Sequence, residues 1–125
     1  MKTITMEKAP ESTRKDVSAA WKNFRNSDDN MGITSAKTPT SEATTYEKWF
    51  KKLGSGWGAA PRVQIIVDNS LIVMSANHIY KLDLNTGDIL QTGDMVAATN
   101  FGYTPPTYAD GMIFAPLADG RVQAF

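Results

Sequence analysis

The sequence predicts an all-β chain of short antiparallel strands arranged as a repeat. Three observations carry this expectation. Val67 to Leu90, VDNSLIVMSANHIYKLDLNTGDIL, alternates apolar runs with turn-forming clusters. Ala109 to Phe125, ADGMIFAPLADGRVQAF, restates the first part of that pattern 42 residues later. The acids of residues 54–125 are six Asp and no Glu. Asp bonds its own backbone in turns, whereas Glu favours helices.

Residues 1–45 read as a mostly irregular leader and loop. Val17, Ala20, Trp21 and Phe24 fit one face of a short helix, with Ser12 or Thr13 as a cap. A flexible leader that becomes ordered only near Trp21 is the alternative. Residues 26–44 are rich in Ser, Thr, Asn, Asp, Gly and Pro and read as a loop or linker. The repeat unit then occupies residues 46–125. Residues 46–53, YEKWFKKL, alternate without a cleanly apolar face, as an outer or edge strand does. GSGWGAAP is a glycine-rich connection that carries Trp57.

A first four-stranded unit is expected over residues 61–94. RVQIIV is rich in β-branched residues. Asp68-Asn69-Ser70 is a turn. LIVMSA is a continuous apolar run, as in a strand buried on both faces. Asn77-His78 is a second turn, IYKLDL a third strand, and NTG a turn with Gly87 available for positive φ. DILQTG is the fourth strand. Ile65, Val67, Leu71, Val73, Ile79, Leu82, Ile89, Ile113 and Phe114 are the expected core.

The second unit, residues 105–125, matches the first position by position. Asp68 answers Asp110, Asn69 Gly111, Leu71 Ile113 and Val73 Ala115, all 42 residues apart. After one extra residue in the second turn, Ile79 answers Val122 and Leu82 answers Phe125, 43 apart. A four-stranded unit at this period is the pattern of a β-propeller blade. The expected fold is therefore a partial β-propeller built from four-stranded antiparallel blades. It comprises about one and a half to two blades, at roughly 42 residues each.

These stretches resemble the repeats of pyrroloquinoline-quinone-like (quinoprotein-like) propellers. The resemblance spans Trp21 to Phe125 and rests on Pro105, Asp110-Gly111, Ile113, Asp119-Gly120, Ile79-Tyr80, Leu82-Asp83 and Thr86-Gly87. The upstream stretch from Trp21 to Pro61 is similar to the entry segment of such propellers in Gram-positive surface proteins, where a Trp-x-x-Phe-Arg stretch, here Trp21 to Arg25, crosses the domain before an outer strand begins. Two departures stand out. The family places a Trp after the Thr-Gly turn, where this chain has Leu90 or Gln91; Trp49 holds that place in the preceding strand. A closed ring also needs at least about four blades. The resemblance thus implies an N-terminal fragment of a longer propeller, secreted or attached to the cell surface, that acts as a binding or interaction scaffold. Its expected partners are the remaining blades of the parent propeller, further copies of itself, and a protein or carbohydrate ligand. Self-association through an exposed blade face or edge competes with a plug formed by Trp21 and Phe24.

Composition narrows the function classes. The 125 residues hold 13 Lys plus Arg against 13 Asp plus Glu, so no basic excess points to nucleic acid. Residues 1–53 carry ten Lys and Arg and seven acids, whereas residues 54–125 carry three and six. Without cysteine there is no disulfide and no thiolate chemistry. No apolar run has the length of a membrane span or of a signal peptide.

No catalytic constellation emerges, so the expected protein is not an enzyme and takes no cofactor. His78 is the one histidine, placed at a turn with no orienting acid to nominate. Asp28-Asp29-Asn30 with Gly32 has the wrong spacing for a calcium loop. Asp68, Asp110 and Asp119 are turn formers. Gly54 to Gly58 lacks the Lys of a phosphate loop. Trp57, Phe101 and Tyr103, in the connections between strands, are the candidates for ligand or partner contact. Packing between blades is their first expected role, and stacking on a sugar or peptide the second. The alternative reading is a fragment of a quinone-dependent dehydrogenase, which requires a full ring, a metal site and a catalytic Asp.

Overall fold

A computed structural model describes residues 20–26, 31–34, 40–61, 63–99 and 104–125. The described chain is all-β, with two single-turn 3-10 helices at Glu42–Thr44 and Trp57–Ala59. Seven strands form two antiparallel sheets, neither of which closes on itself. The first holds β1 (Ile65–Val67), β2 (Ser70–Ser75), β3 (His78–Asp83) and β4 (Ile89–Asp94), in that order. The second holds β5 (Thr107–Ala109), β6 (Met112–Pro116) and β7 (Val122–Ala124).

The repeat is visible in the register. Ile65 pairs with Ile72 and Val67 with Ser70; Thr107 pairs with Phe114 and Ala109 with Met112. Every member of the second set lies 42 residues beyond its counterpart. Both hairpins close through two residues in the left-handed region: Asp68 and Asn69 at φ 47° and 56°, Asp110 and Gly111 at 51° and 81°. Only a primed turn matches the right-handed twist of such short hairpins, and Asp, Asn and Gly tolerate it best. The next loop differs. Ala76 and Asn77 close the β2–β3 hairpin, whereas Ala118, Asp119 and Gly120 close the second one, with Gly120 at φ 85°. That three-residue loop absorbs the extra residue that shifts the repeat from 42 to 43.

β2 is buried on both faces, as its unbroken apolar run requires. Ile72 and Met74 join Ile65, Val67, Ile79 and Met95 in a cluster that receives Ala115 and Leu117 from the second sheet. The opposite face carries Val73, Ser75 and Leu82, also buried. Residues 46–60 cover that face. The Ser75 hydroxyl donates to the Ala59 carbonyl at 2.5 Å, and the Tyr80 hydroxyl to Leu53 at 3.4 Å. The first sheet is thus a middle layer between residues 46–60 and the second sheet.

Several expectations change. Residues 46–53 carry no regular secondary structure and belong to no sheet among the described residues. They lie across the face of β2–β3. The helix expected through Trp21 and Phe24 is absent from its described part. Trp21 instead exchanges backbone hydrogen bonds with Ile66 at 2.9 and 2.8 Å, and Arg25 and Asn26 turn at positive φ; residues 12–19 lie outside the described residues. Ile89 is exposed, because β4 is an edge strand with both faces largely open. Leu71, Ile113 and Phe114 are half-buried, while Ile65, Val67, Val73, Ile79 and Leu82 are buried. The second turn sits at Ala76-Asn77, one residue earlier than expected, so His78 opens β3.

Candidate functional site

The sole histidine has an acid after all. β3 and β4 pair His78 with Asp94, and a protonated Nδ1 donates to Asp94 Oδ1 at 2.9 Å. The Tyr80 ring lies 5.9 Å from the imidazole, centre to centre. β2 adds Ser75 directly opposite His78. Ser, His and Asp therefore stand in one row across three strands. A nucleophile must direct its proton at the base. Ser75 is buried and gives its proton to the Ala59 carbonyl, so the row braces the sheet against the 57–59 turn. The sequence hid this row because its members meet only through register. The Gly87 turn was the available signal, since a hairpin centred there brings His78 and Asp94 together.

Trp57 sits on the single-turn helix whose Ala59 carbonyl is held by Ser75. Its residue is 81% exposed, so the turn presents a large apolar ring to solvent. Phe101 and Tyr103, its proposed companions, lie outside the described residues. Phe50 was not singled out from the sequence, yet it is equally exposed at 80%.

A cleft of about 570 Å³ lies between the two sheets. Ile79, Lys81, Gln91 and Gly93 line one wall, and Ile113 and Phe125 the other. Phe125 lies so close to Gly93 that a Cβ there would stand 2.8 Å from Cε1 of the ring. Gln123 clamps the sheets at one end of the cleft. Its amide donates to the Asp94 carbonyl at 3.1 Å and accepts from the Val96 amide at 2.9 Å. Tyr80, Thr92 and Tyr108 add polar groups to the lining, and Asp68 is the one acid among the described lining residues.

Charge on the surface serves the turns. The Arg121 guanidinium donates to Asp119 at 2.5 and 2.8 Å and holds that carboxyl below its ordinary range. Asp83 is held low chiefly by the backbone amides of Thr86 and Asn85, at 2.9 and 2.8 Å. No group of three or more potential metal ligands occurs among the described residues, and no described helix is long and apolar enough to cross a membrane. Comparison of the chain with protein-family models, curated proteins and solved structures returned no match.

Proposed function

We propose that this chain is a non-enzymatic β-propeller unit that serves as a binding or interaction scaffold in a secreted or surface-attached bacterial protein. The observation that carries the reading is the repeated hairpin register of two facing sheets, joined by one mixed core. Facing sheets of like register at a period near 42 are what successive blades produce. The placement outside the cell follows from the resemblance to surface propellers. Trp57 is the contact residue of this reading, because its ring is exposed while its backbone is anchored.

The test is binding to panels of immobilised oligosaccharides and extended peptides, with Trp57→Ala as the matched variant. The reading expects a ligand whose retention falls at least tenfold in the variant while the melting temperature is unchanged. Equal retention by both proteins contradicts the role of Trp57. Absence of any ligand across both panels contradicts the scaffold reading.

A further inference from the structure

Two rows of side chains face each other across the cleft between the sheets. On the first sheet, register places Ile72 beside Lys81 and Lys81 beside Gln91. On the second, Tyr108 pairs with Ile113, and Ile113 exchanges backbone hydrogen bonds with Phe125 at 2.9 Å. All six residues line the cleft. Strand pairing sets both rows, so the walls are built before any ligand arrives. Sheets stack roughly 10 Å apart, which leaves a flat slot between them. Gly93 deepens it with no side chain of its own, and the Phe125 ring packs over that position.

The lining sorts by character. Ile72, Ile79 and Ile113 are aliphatic, and Tyr108 and Phe125 add rings on either side of Ile113. Lys81 is the one cation among the described lining residues. It is half-buried and forms no ion pair among the described residues. Asp68 belongs to the β1–β2 turn, whereas Lys81 is on β3. At ordinary strand spacing β1 and β3 stand roughly 10 Å apart, too far for that carboxylate to pair with the ammonium. A half-buried ammonium among apolar groups gains most from an anion that it can hydrogen-bond. Gln91, its cross-strand neighbour, brings an amide that donates to the same anion.

We propose that the cleft binds a small, flat aromatic monoanion. Its carboxylate or sulfonate head sits on Lys81 and Gln91, and its ring lies between Ile72, Ile79 and Ile113. Such a ligand loses little conformational freedom on entering a slot whose walls are already in place. Asp68 at the far end accepts a hydroxyl or amino donor and repels a second negative charge. A cleft of about 570 Å³ is of the size that holds a drug-sized molecule. The site faces the second sheet, on the opposite side of the first sheet from residues 46–60. It is therefore separate from Trp57 and stands whether or not that ring contacts a ligand.

Three probes test the site: naphthalene sulfonate, its neutral counterpart naphthol, and a naphthalene disulfonate with one charge on each ring. Methyl and amide resonances of the full chain are followed as each is added. The expected result is one saturable sulfonate site whose shifts centre on Ile72, Ile79, Ile113 and Gly93. Lys81→Gln should weaken the sulfonate by at least about fivefold and naphthol by less than about twofold, because only the charged head uses the ammonium. Gln91→Glu gives the same split by another route, since its carboxylate takes the ligand's place on Lys81. Gln91 is exposed, so this variant decides the matter even if Lys81→Gln does not fold. The disulfonate should bind more weakly than the monosulfonate. No saturable shift at millimolar sulfonate overturns the proposal, as do shifts centred on Trp57 or Phe50. Equal weakening of sulfonate and naphthol in the variants overturns it too, as does a disulfonate that binds as tightly as the monosulfonate.

Discussion

The indole of Trp49 covers Gly87. Its Nε1 donates to the Leu84 carbonyl at 2.9 Å, and a Cβ placed on Gly87 would stand 2.6 Å from ring atom Cε3. Gly87 also has φ 76°. Two independent constraints, backbone hand and ring contact, therefore require glycine. This pair fastens residues 46–53 to the Asp83–Asp88 turn.

Gly87→Ala should cost roughly 2–5 kcal/mol, summing the left-handed penalty and the overpacking of the ring. Trp49→Phe keeps a ring but strands the Leu84 carbonyl, and should cost about 1–3 kcal/mol. Denaturant melts measure both. A Gly87→Ala protein as stable as the parent would show that Trp49 does not rest on this turn.

Ala76 offers the opposite sign. It holds φ 52° with an ordinary side chain. Ala76→Gly should stabilise the protein by about 0.5–1 kcal/mol, because the steric penalty removed exceeds the entropy added. The same melts decide it, and a loss of stability would mean that the methyl group is packed usefully.

Val73 is 2% exposed at the centre of β2. Val73→Asp should cost about 4 kcal/mol or more, since it buries a charge with no partner. A melting temperature within a degree or two of the parent would contradict the burial of this face by residues 46–60.

Asp83 links the turn to pH. Its folded carboxyl titrates below the ordinary value of 3.8, chiefly through the Thr86 amide and then the Asn85 amide. The carboxylate therefore stabilises the turn fully above that value. The contribution fades as pH falls through the lowered folded value. Amide exchange at Asn85 and Thr86 should accelerate relative to Asp83→Asn as pH drops below about 3.8. Parallel profiles for the two proteins would remove Asp83 as the cap.

What the sequence revealed was local. Asp68-Asn69 and Asp110-Gly111 announced their hairpins because each dipeptide tolerates the backbone its turn needs. The apolar run from Leu71 to Met74 announced a strand buried on both sides. What it concealed was relational. Ile89 looked like core by composition, yet its exposure follows from being in an edge strand. Residues 46–53 alternate like a strand, but alternation cannot say whether a partner strand stands beside them. His78 and Asp94 meet only once the β3–β4 register is known, and that register contains a bulge between Lys81 and Leu82.

The central claim is that the two sheets face each other as successive units of one repeat. Methyl-selective nuclear Overhauser spectroscopy tests it most directly. The account expects cross-peaks from Ala115 and Leu117 to methyl groups of the first-sheet cluster, among them Ile72, Ile79 and Met95. Cross-peaks confined within each sheet, with none between Ala115 or Leu117 and that cluster, would contradict it.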